Sequence, residues 1–443
     1  MSFVKGLRCI DCGREYPPEG LMTACLGCGQ KGLFYGLLDP VYEYGKIAQE
    51  VNKDVLEKRE ATLWKYKEFM PISGESKIVS MGEGGTPLIR AENLASEFGI
   101  DNLYLKDDTV NPTFSFKDRP CSLIVSKALE EGARTVGLMS DGNNGVSAAA
   151  YCAKAGIECY VFMPASSVSA KITHVLFYGG KVILVDGFAY DAGMLSMQAC
   201  AKYGWTNISQ IKPLNPYPTE AHRSISYEIC EQLGWKAPDW LLTPTASGDS
   251  IGGQWKGYKE FHQLGFVDNR PRMVAVQAEG ADPVVRAFGQ NKEWFQVEPF
   301  EPKTISDALV AGNVVGSWAL NSLRESNGEA VAVSDEETLH AQKLLAESEG
   351  IFVEPSSAVP IMGLKKLIDE GVIDESETVV CVLTGSGLKV MDVAETLVKK
   401  PVPIKPTIEA LDEELGYPDP ASGAFLGRKN AGSGRNRRGT AGG

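Results

Sequence analysis

The sequence predicts an α/β protein: two three-layer α/β domains with mostly parallel sheets around a cleft, preceded by a small cysteine-rich module. Three observations carry that expectation. From residue 135 onward, short apolar runs alternate with segments of helical period, the pattern of strands joined by crossover helices. With 443 residues and 43% apolar content, the chain can bury a large core and divide into two or more domains. Four of its ten cysteines crowd the N-terminus as two C-x-x-C pairs.

Those four, Cys9, Cys12, Cys25 and Cys28, form the first element. Twelve residues separate the pairs, and glycines follow closely behind three of the four cysteines. This spacing suits a zinc-ribbon-like module in which two tight knuckles present four thiolates to a tetrahedral zinc. A ribbon that has lost its metal, or a thiol redox pair, fits the same spacing. Residues 1 to 36 carry four basic and three acidic side chains, too balanced for a phosphate-binding face, so the module is expected to cap the rest of the protein. The other six cysteines (Cys121, Cys152, Cys159, Cys200, Cys230, Cys381) lie in apolar segments and read as small buried hydrophobes.

Residues 41 to 77 read as helical and polar, with Val55–Trp64 gathering apolar groups on one face. Gly82-Glu-Gly-Gly-Thr-Pro-Leu88 is a tight turn that Pro87 ends in an extended chain. Asn102–Lys106 alternates as a strand, and Cys121–Glu130 has helical spacing. Between them lies Asn111-Pro-Thr-Phe-Ser-Phe-Lys-Asp-Arg-Pro120. Lys117 therefore sits near a helix start beside Phe116 and Arg119. Burial against the ring and the neighbouring positive charge both favour a neutral amine, the form that attacks an aldehyde. An isolated Ser-Phe-Lys-Asp fits a surface lysine equally well.

Beyond Lys117 come strands at Thr135–Met139, Glu158–Met163 and Lys181–Val185, with helices around 147–154 and 171–178. A second series of strands follows at Trp240–Thr243, Arg272–Gln277 and Thr378–Leu383, each with a helix after it. Two loops join a strand to a helix and are rich in small polar residues: Ser140-Asp-Gly-Asn-Asn-Gly145 and Thr243-Pro-Thr-Ala-Ser-Gly-Asp-Ser250. Free amides at such helix starts collect anions, although helix caps favour the same residue types. Thr407–Leu415 reads as a short acidic helix, and Gly427–Gly443 as a disordered basic, Gly-rich tail.

The net charge of −13 argues against general nucleic-acid affinity. No run approaches the roughly 18 apolar residues of a membrane span. The first eight residues lack the apolar core of a signal peptide, so the chain is expected in the cytoplasm.

Asn-Pro-Thr-x-Ser-Phe-Lys-Asp-Arg strongly resembles the cofactor-lysine segment of threonine synthases, pyridoxal-phosphate enzymes of the tryptophan synthase β-chain superfamily (fold type II). The resemblance extends from about Cys9 to Lys389 and takes in Gly82–Leu88. It implies a zinc-ribbon-like module at 1–40, a large cofactor-binding domain from 41–119 and 206–405, a smaller domain at 120–205 and a tail at 406–443. It implies that Lys117 bonds the cofactor with Phe116 beside it, that Asn143 meets the phenolic oxygen, and that Ser140 and Asn144 take the substrate carboxylate. Thr384, in Leu383-Thr-Gly-Ser-Gly-Leu-Lys389, matches the hydroxyl at the pyridine nitrogen. Ser247, Gly248, Asp249 and Ser250 match the phosphate loop, where relatives read roughly Pro-Thr-Gly-Asn-x-Gly-Asn. Asp249 departs most, since a carboxylate 4 Å from a phosphate costs roughly 4 kcal/mol per charge at an effective dielectric near 20. It must point away, cap the helix beginning near Ile251, or pair with a cation. Phe114 and Pro120 stand where glycines are common, at the mouth of the site. Ser386 replaces a histidine. His222 and Arg223 read as a cap or surface pair, and Glu354 as a residue lining the site.

The activity so implied is conversion of O-phospho-L-homoserine and water to L-threonine and phosphate, by a homodimer. The alternative is a β-replacement on O-phosphoserine or a related activated serine, as in cysteate synthase-like relatives. A non-enzymatic protein on a degenerate scaffold conflicts with retention of Lys117, Asn143 and Thr384 together.

Overall fold

The computed structural model describes residues 2–18, 23–398 and 400–417, so the basic tail expected from Gly427 lies outside the described residues. β1 (Val4–Cys9), β2 (Glu15–Tyr16) and β3 (Leu38–Tyr42) form an antiparallel sheet in the order β2-β1-β3. Its apolar residues Leu7 and Leu38 pack with Cys9 and Cys25 into a small core of their own.

The expected helical stretch at 41–77 is a correction. Only α1 (Tyr44–Glu50) and α2 (Lys53–Glu57) are α-helical, and Leu63–Phe69 is a 3-10 segment. The reason is tertiary: Leu63 spends its N–H on the Glu83 carbonyl (2.7 Å), and Trp64 donates to Glu83 and Ser122 (both 2.9 Å). Gly85 lies so close to this stretch that a Cβ would meet the Ala61 carbonyl oxygen at 1.8 Å.

Two parallel sheets follow. β4 (Leu88–Arg90) leads to α3 (Glu92–Phe98), β5 (Asn102–Asp107) and α4 (Asp118–Glu130). Next come β6 (Thr135–Met139), α5 (Asn143–Ala155), β7 (Glu158–Pro164), α6 (Ser169–Phe177), β8 (Lys181–Val185), α7 (Ala189–Tyr203) and β9 (Thr206–Asn207). The strands β8-β7-β6-β9 form the smaller sheet, parallel throughout. The chain continues through α8 (Pro218–Gln232), β10 (Trp240–Pro244), α9 (Asp249–Gln263), β11 (Arg272–Ala278) and α10 (Pro283–Gly289). It closes with α11 (Trp318–Ser326), β12 (Glu329–Val333), α12 (Asp335–Glu349), α13 (Pro355–Asp369) and β13 (Thr378–Leu383). The larger sheet runs β12-β11-β10-β13-β5-β4, parallel except where β4 meets β5. β10 is buried at every position and β13 at all but its first, as parallel strands covered on both faces require.

Sequence reading located seven of the ten strands in these two sheets but not β4, β9 or β12, each short or only partly buried. The six scattered cysteines are all buried. Among the described residues, no helix is long and apolar enough to cross a membrane. The described residues from Glu395 onward belong to a separate unit, in which Ile408–Leu415 is the expected acidic helix, capped by Thr407.

Candidate active site

The site is built where β5 and β13 end together. Asp107 pairs with Leu383 in the sheet, so the chains leaving the two strands run side by side. The Phe116 N–H donates to the Thr384 carbonyl (2.8 Å) and the Ser386 N–H to the Phe114 carbonyl (3.1 Å). Buried Asp118 ties the loop from inside, accepting from the N–H and hydroxyl of Thr113 (both 2.6 Å). Phe114 takes φ +62°, the left-handed region that glycine adopts without strain. Lys117 is then held at the threshold of α4, its amine 4.8 Å from the Phe116 ring centre.

A cavity of about 210 Å³ opens at this point. Every expected cofactor and substrate residue lines it: Phe116, Lys117, Ser140, Asn143, Asn144, Ser247, Gly248, Asp249, Ser250 and Thr384. Neither Phe114 nor Pro120 does, which corrects their expected place at its mouth: Pro120 is buried within α4, and Phe114 is exposed. Ser386 is also off the cavity, its hydroxyl spent on the Leu388 N–H.

Burial pushes the Lys117 amine below the ordinary lysine range, against the carboxylates of Asp249, Asp141 and Glu354. The expected help from Arg119 is a second correction. Its guanidinium is wholly buried and engaged by Asp108 (2.7 and 2.8 Å) and Glu228 (2.5 and 2.8 Å). Desolvation is the largest cause acting on Lys117, and the charges named with it are negative ones that oppose the shift.

Two helix starts face the cavity. Ser140 opens the loop before α5, its hydroxyl accepting from the N–H groups of Gly142 (3.2 Å) and Gly145 (2.8 Å). The first-turn amides of Asn143 and Asn144 have no intrahelical acceptor. Asn143 donates its side-chain amide to both oxygens of Glu354 (2.8 and 3.0 Å), while its Oδ1 is buried without a partner. Glu354 is thus a structural partner of Asn143 as well as a lining residue. α9 begins at Asp249 after Gly248, which takes φ +108° and makes no side-chain cap. A Cβ on Gly248 would lie 2.7 Å from that of Ala319, so only glycine fits. Asp249 is therefore the first residue of α9 and not its cap, a third correction. Its Oδ2 accepts from Ser247 (3.3 Å), its Oδ1 is buried without a partner, and burial raises its pKa against the charges of Lys212 and Lys117. Thr384 donates its N–H to Ser357 (2.6 Å) and lines the cavity.

His222 and Arg223 are the fourth correction. Both are buried in α8. His222 lines the cavity, stacked on Phe116 with ring centres 5.2 Å apart, and its Nδ1 has no partner. Burial, then Lys117 and Arg119, hold it neutral, well below the ordinary histidine range. Arg223 pairs with Glu220 and Glu260. Lys171, Lys212 and Asp307 also line the cavity, and no local sequence signal marked them.

The residues fit pyridoxal phosphate. An amine whose pKa burial lowers lines the same cavity as the first turn of α9, whose amides lack intrahelical acceptors, and as Asn143, whose buried Oδ1 has no partner.

At the N-terminus, the sulfurs of Cys9, Cys12, Cys25 and Cys28 all lie within 4.8 Å of one another, with Cys12 and Cys25 3.8 Å apart. Four sulfurs at about 2.3 Å from a tetrahedral zinc stand about 3.8 Å apart. Burial works against the Cys25 thiolate, but the N–H groups of Cys28 and Gly27 and the Tyr16 hydroxyl outweigh it, bringing the pKa to about 6.

Comparison with known proteins agrees with this geometry. Residues 79–385 match the family model described as pyridoxal-phosphate dependent enzyme. The chain is 43% identical over 412 residues to threonine synthase of Methanocaldococcus jannaschii, covering 92% of this chain and 98% of that one. It is 39% identical to threonine synthase of Methanosarcina acetivorans, with the same coverage. Among solved structures, diaminopropionate ammonia lyase from Escherichia coli superposes with a TM-score of 0.63 at 18% identity, covering 74% of this chain and 95% of that one. Maize serine racemase superposes with a TM-score of 0.61 at 22% identity, covering 70% and 91%. At these identities the structural likeness establishes the shared fold.

Proposed function

The chain belongs to the pyridoxal-phosphate dependent enzyme family and is related along most of its length to threonine synthases, and we propose that it converts O-phospho-L-homoserine and water to L-threonine and phosphate. The observation that carries this reading is the single cavity holding Lys117, Asn143, Thr384 and the open start of α9.

Pyridoxal phosphate, when bound, supplies an aldehyde for the lysine and a ring that stabilises negative charge on substrate carbons. The chain's own residues do the rest. Lys117, whose pKa burial lowers, provides the amine and afterwards moves protons at the substrate Cα and Cβ. The amides and hydroxyls of Ser247, Gly248 and Ser250 hold the cofactor phosphate, and the α5 start with Ser140 and Asn144 orients the substrate carboxylate. Thr384 offers a hydroxyl, not a charge, to the ring nitrogen. That moderates electron withdrawal and suits elimination followed by water addition. Of the departures from the family pattern, Phe114 and Ser386 lie off the cavity, which favours phosphohomoserine over a different activated serine.

The four-cysteine site is read as structural zinc, closed by four protein ligands and therefore without an open position for catalysis.

Incubating the protein separately with O-phosphohomoserine and O-phosphoserine decides the substrate. Threonine and equimolar phosphate from the first are expected. Turnover of phosphoserine alone would move the assignment to β-replacement.

A further inference from the structure

The chain between the cysteines and the cavity is a short, tightly held bridge. Gly36 packs against the cluster, where a Cβ would lie 2.9 Å from the Cys25 Cβ, and its carbonyl accepts from the Cys25 N–H (2.7 Å). The Leu37 carbonyl accepts from Ile10 (3.0 Å), and Leu38 pairs with Cys9 across β1 and β3. The next two positions grip the other end. Lys212, wholly buried and lining the cavity, donates to the Leu38 carbonyl (3.3 Å) and to the Pro216 carbonyl (3.1 Å). It pairs with Asp39 (3.5 Å), and its ammonium lies 4.3 Å from the Trp318 ring centre. Asp39 and Pro40 also hold Lys256 (3.0 and 2.7 Å), which belongs to α9, the helix whose first turn forms the phosphate cradle.

Lys212 meets a specific need. Asp249 puts a carboxylate into the first turn of α9, where a phosphate has to sit. Lys212 and Lys117 are the groups whose positive charge acts on it, and Lys117 is the one committed to the cofactor aldehyde. Lys212 then remains: burial lowers its pKa, and Asp39, 3.5 Å away, is the first charge acting to keep it protonated.

We propose that Lys212 is a positioning residue for the cofactor phosphate: held by Leu38 and Asp39 of the cysteine module, it offsets the Asp249 carboxylate, so that the state of the four-cysteine site and the affinity for cofactor are linked. The proposal rests on the cofactor reading above. Linkage makes the effect reciprocal, so cofactor also tightens metal retention by the same factor.

The experiment is a pyridoxal-phosphate titration of cofactor-free protein, read by absorbance. It uses the wild type, Lys212→Met, Lys212→Arg, Asp39→Asn and Cys12→Ser/Cys28→Ser, each with and without Asp249→Asn. Circular dichroism and thermal melting confirm that each variant is folded. Lys212→Met is expected to weaken binding tenfold or more, Lys212→Arg to restore most of it, and Asp39→Asn and the cysteine pair to weaken it several-fold. Asp249→Asn should relieve each loss. A merely destabilising change would lower melting without that charge-dependent rescue. Should Lys212→Met fail to fold, Asp39→Asn gives the same reading with little change in side-chain shape. Wild-type protein that takes up no pyridoxal phosphate would refute the proposed function, and this inference with it. Wild-type uptake with Lys212→Met or Asp39→Asn within twofold of it, or losses that Asp249→Asn leaves unchanged, would overturn the inference alone.

Discussion

Gly248→Ala separates two roles of one position. The residue sits at φ +108°, where an L side chain costs about 1–3 kcal/mol of backbone strain. The new Cβ would stand 2.7 Å from that of Ala319 and 3.4 Å from its backbone nitrogen. Neither contact is with a flexible side-chain end, so α9 or α11 must shift, at about 1–3 kcal/mol for overpacking. The sum, roughly 2–6 kcal/mol, is a large fraction of the 5–15 kcal/mol that stabilises a typical domain. Because the shift falls on the first turn of α9, cofactor affinity should also drop tenfold or more, about 1.4 kcal/mol. Gly234→Ala is the control: φ is +71° there with nothing within 4 Å of the new Cβ, so only a backbone cost of about 1–2 kcal/mol should appear. Urea midpoints of cofactor-free protein measure the first effect and pyridoxal-phosphate titration the second. If Gly248→Ala matches Gly234→Ala in both, the close approach to Ala319 does not shape the cradle and the argument is wrong.

Lys117→Ala should abolish the absorption band of lysine-bound cofactor, and an unchanged spectrum would remove Lys117 from the site. Metal analysis should find about one zinc per chain, lost in Cys9→Ser/Cys25→Ser; retention there would refute the four-thiolate site. Glu228 is buried, but Arg119 and Lys106 outweigh the desolvation and hold its carboxyl down at about 2. A folded pKa below the unfolded one stabilises above the unfolded value, so the contribution of about 3 kcal/mol should be present at pH 7 and fade as pH falls from about 4.5 toward 2. Glu228→Gln should therefore cost about 3 kcal/mol near neutrality, with the gap from wild type closing in acid; a gap constant with pH would contradict this.

Local pattern was enough for the elements that obey a local rule. The two C-x-x-C pairs state their ligand set in their spacing, and the four sulfurs do converge. Lys117 and Thr384 follow β5 and β13, neighbours in the larger parallel sheet that end at one edge, and the Ser140–Gly145 loop follows β6 of the smaller sheet and lines the same cavity. What the sequence could not state is which polar side chains the fold would take inside. In α8, 13 of 15 residues are buried, so no polar face remains to mark His222 or Arg223 as interior. The partners that neutralise such groups come from far along the chain: Asp39 for Lys212, Glu228 for Arg119, Glu354 for Asn143. The same limit applied at Leu63–Phe69, within the stretch expected to be helical, where the Leu63 N–H is taken by the Glu83 carbonyl of the Gly82–Leu88 turn. Periodicity reports one element's preference for one face. Desolvation of a charge is decided by everything packed around it, and only the tertiary structure brings Lys212 to the same cavity as the Asp249 carboxylate that the sequence left unexplained.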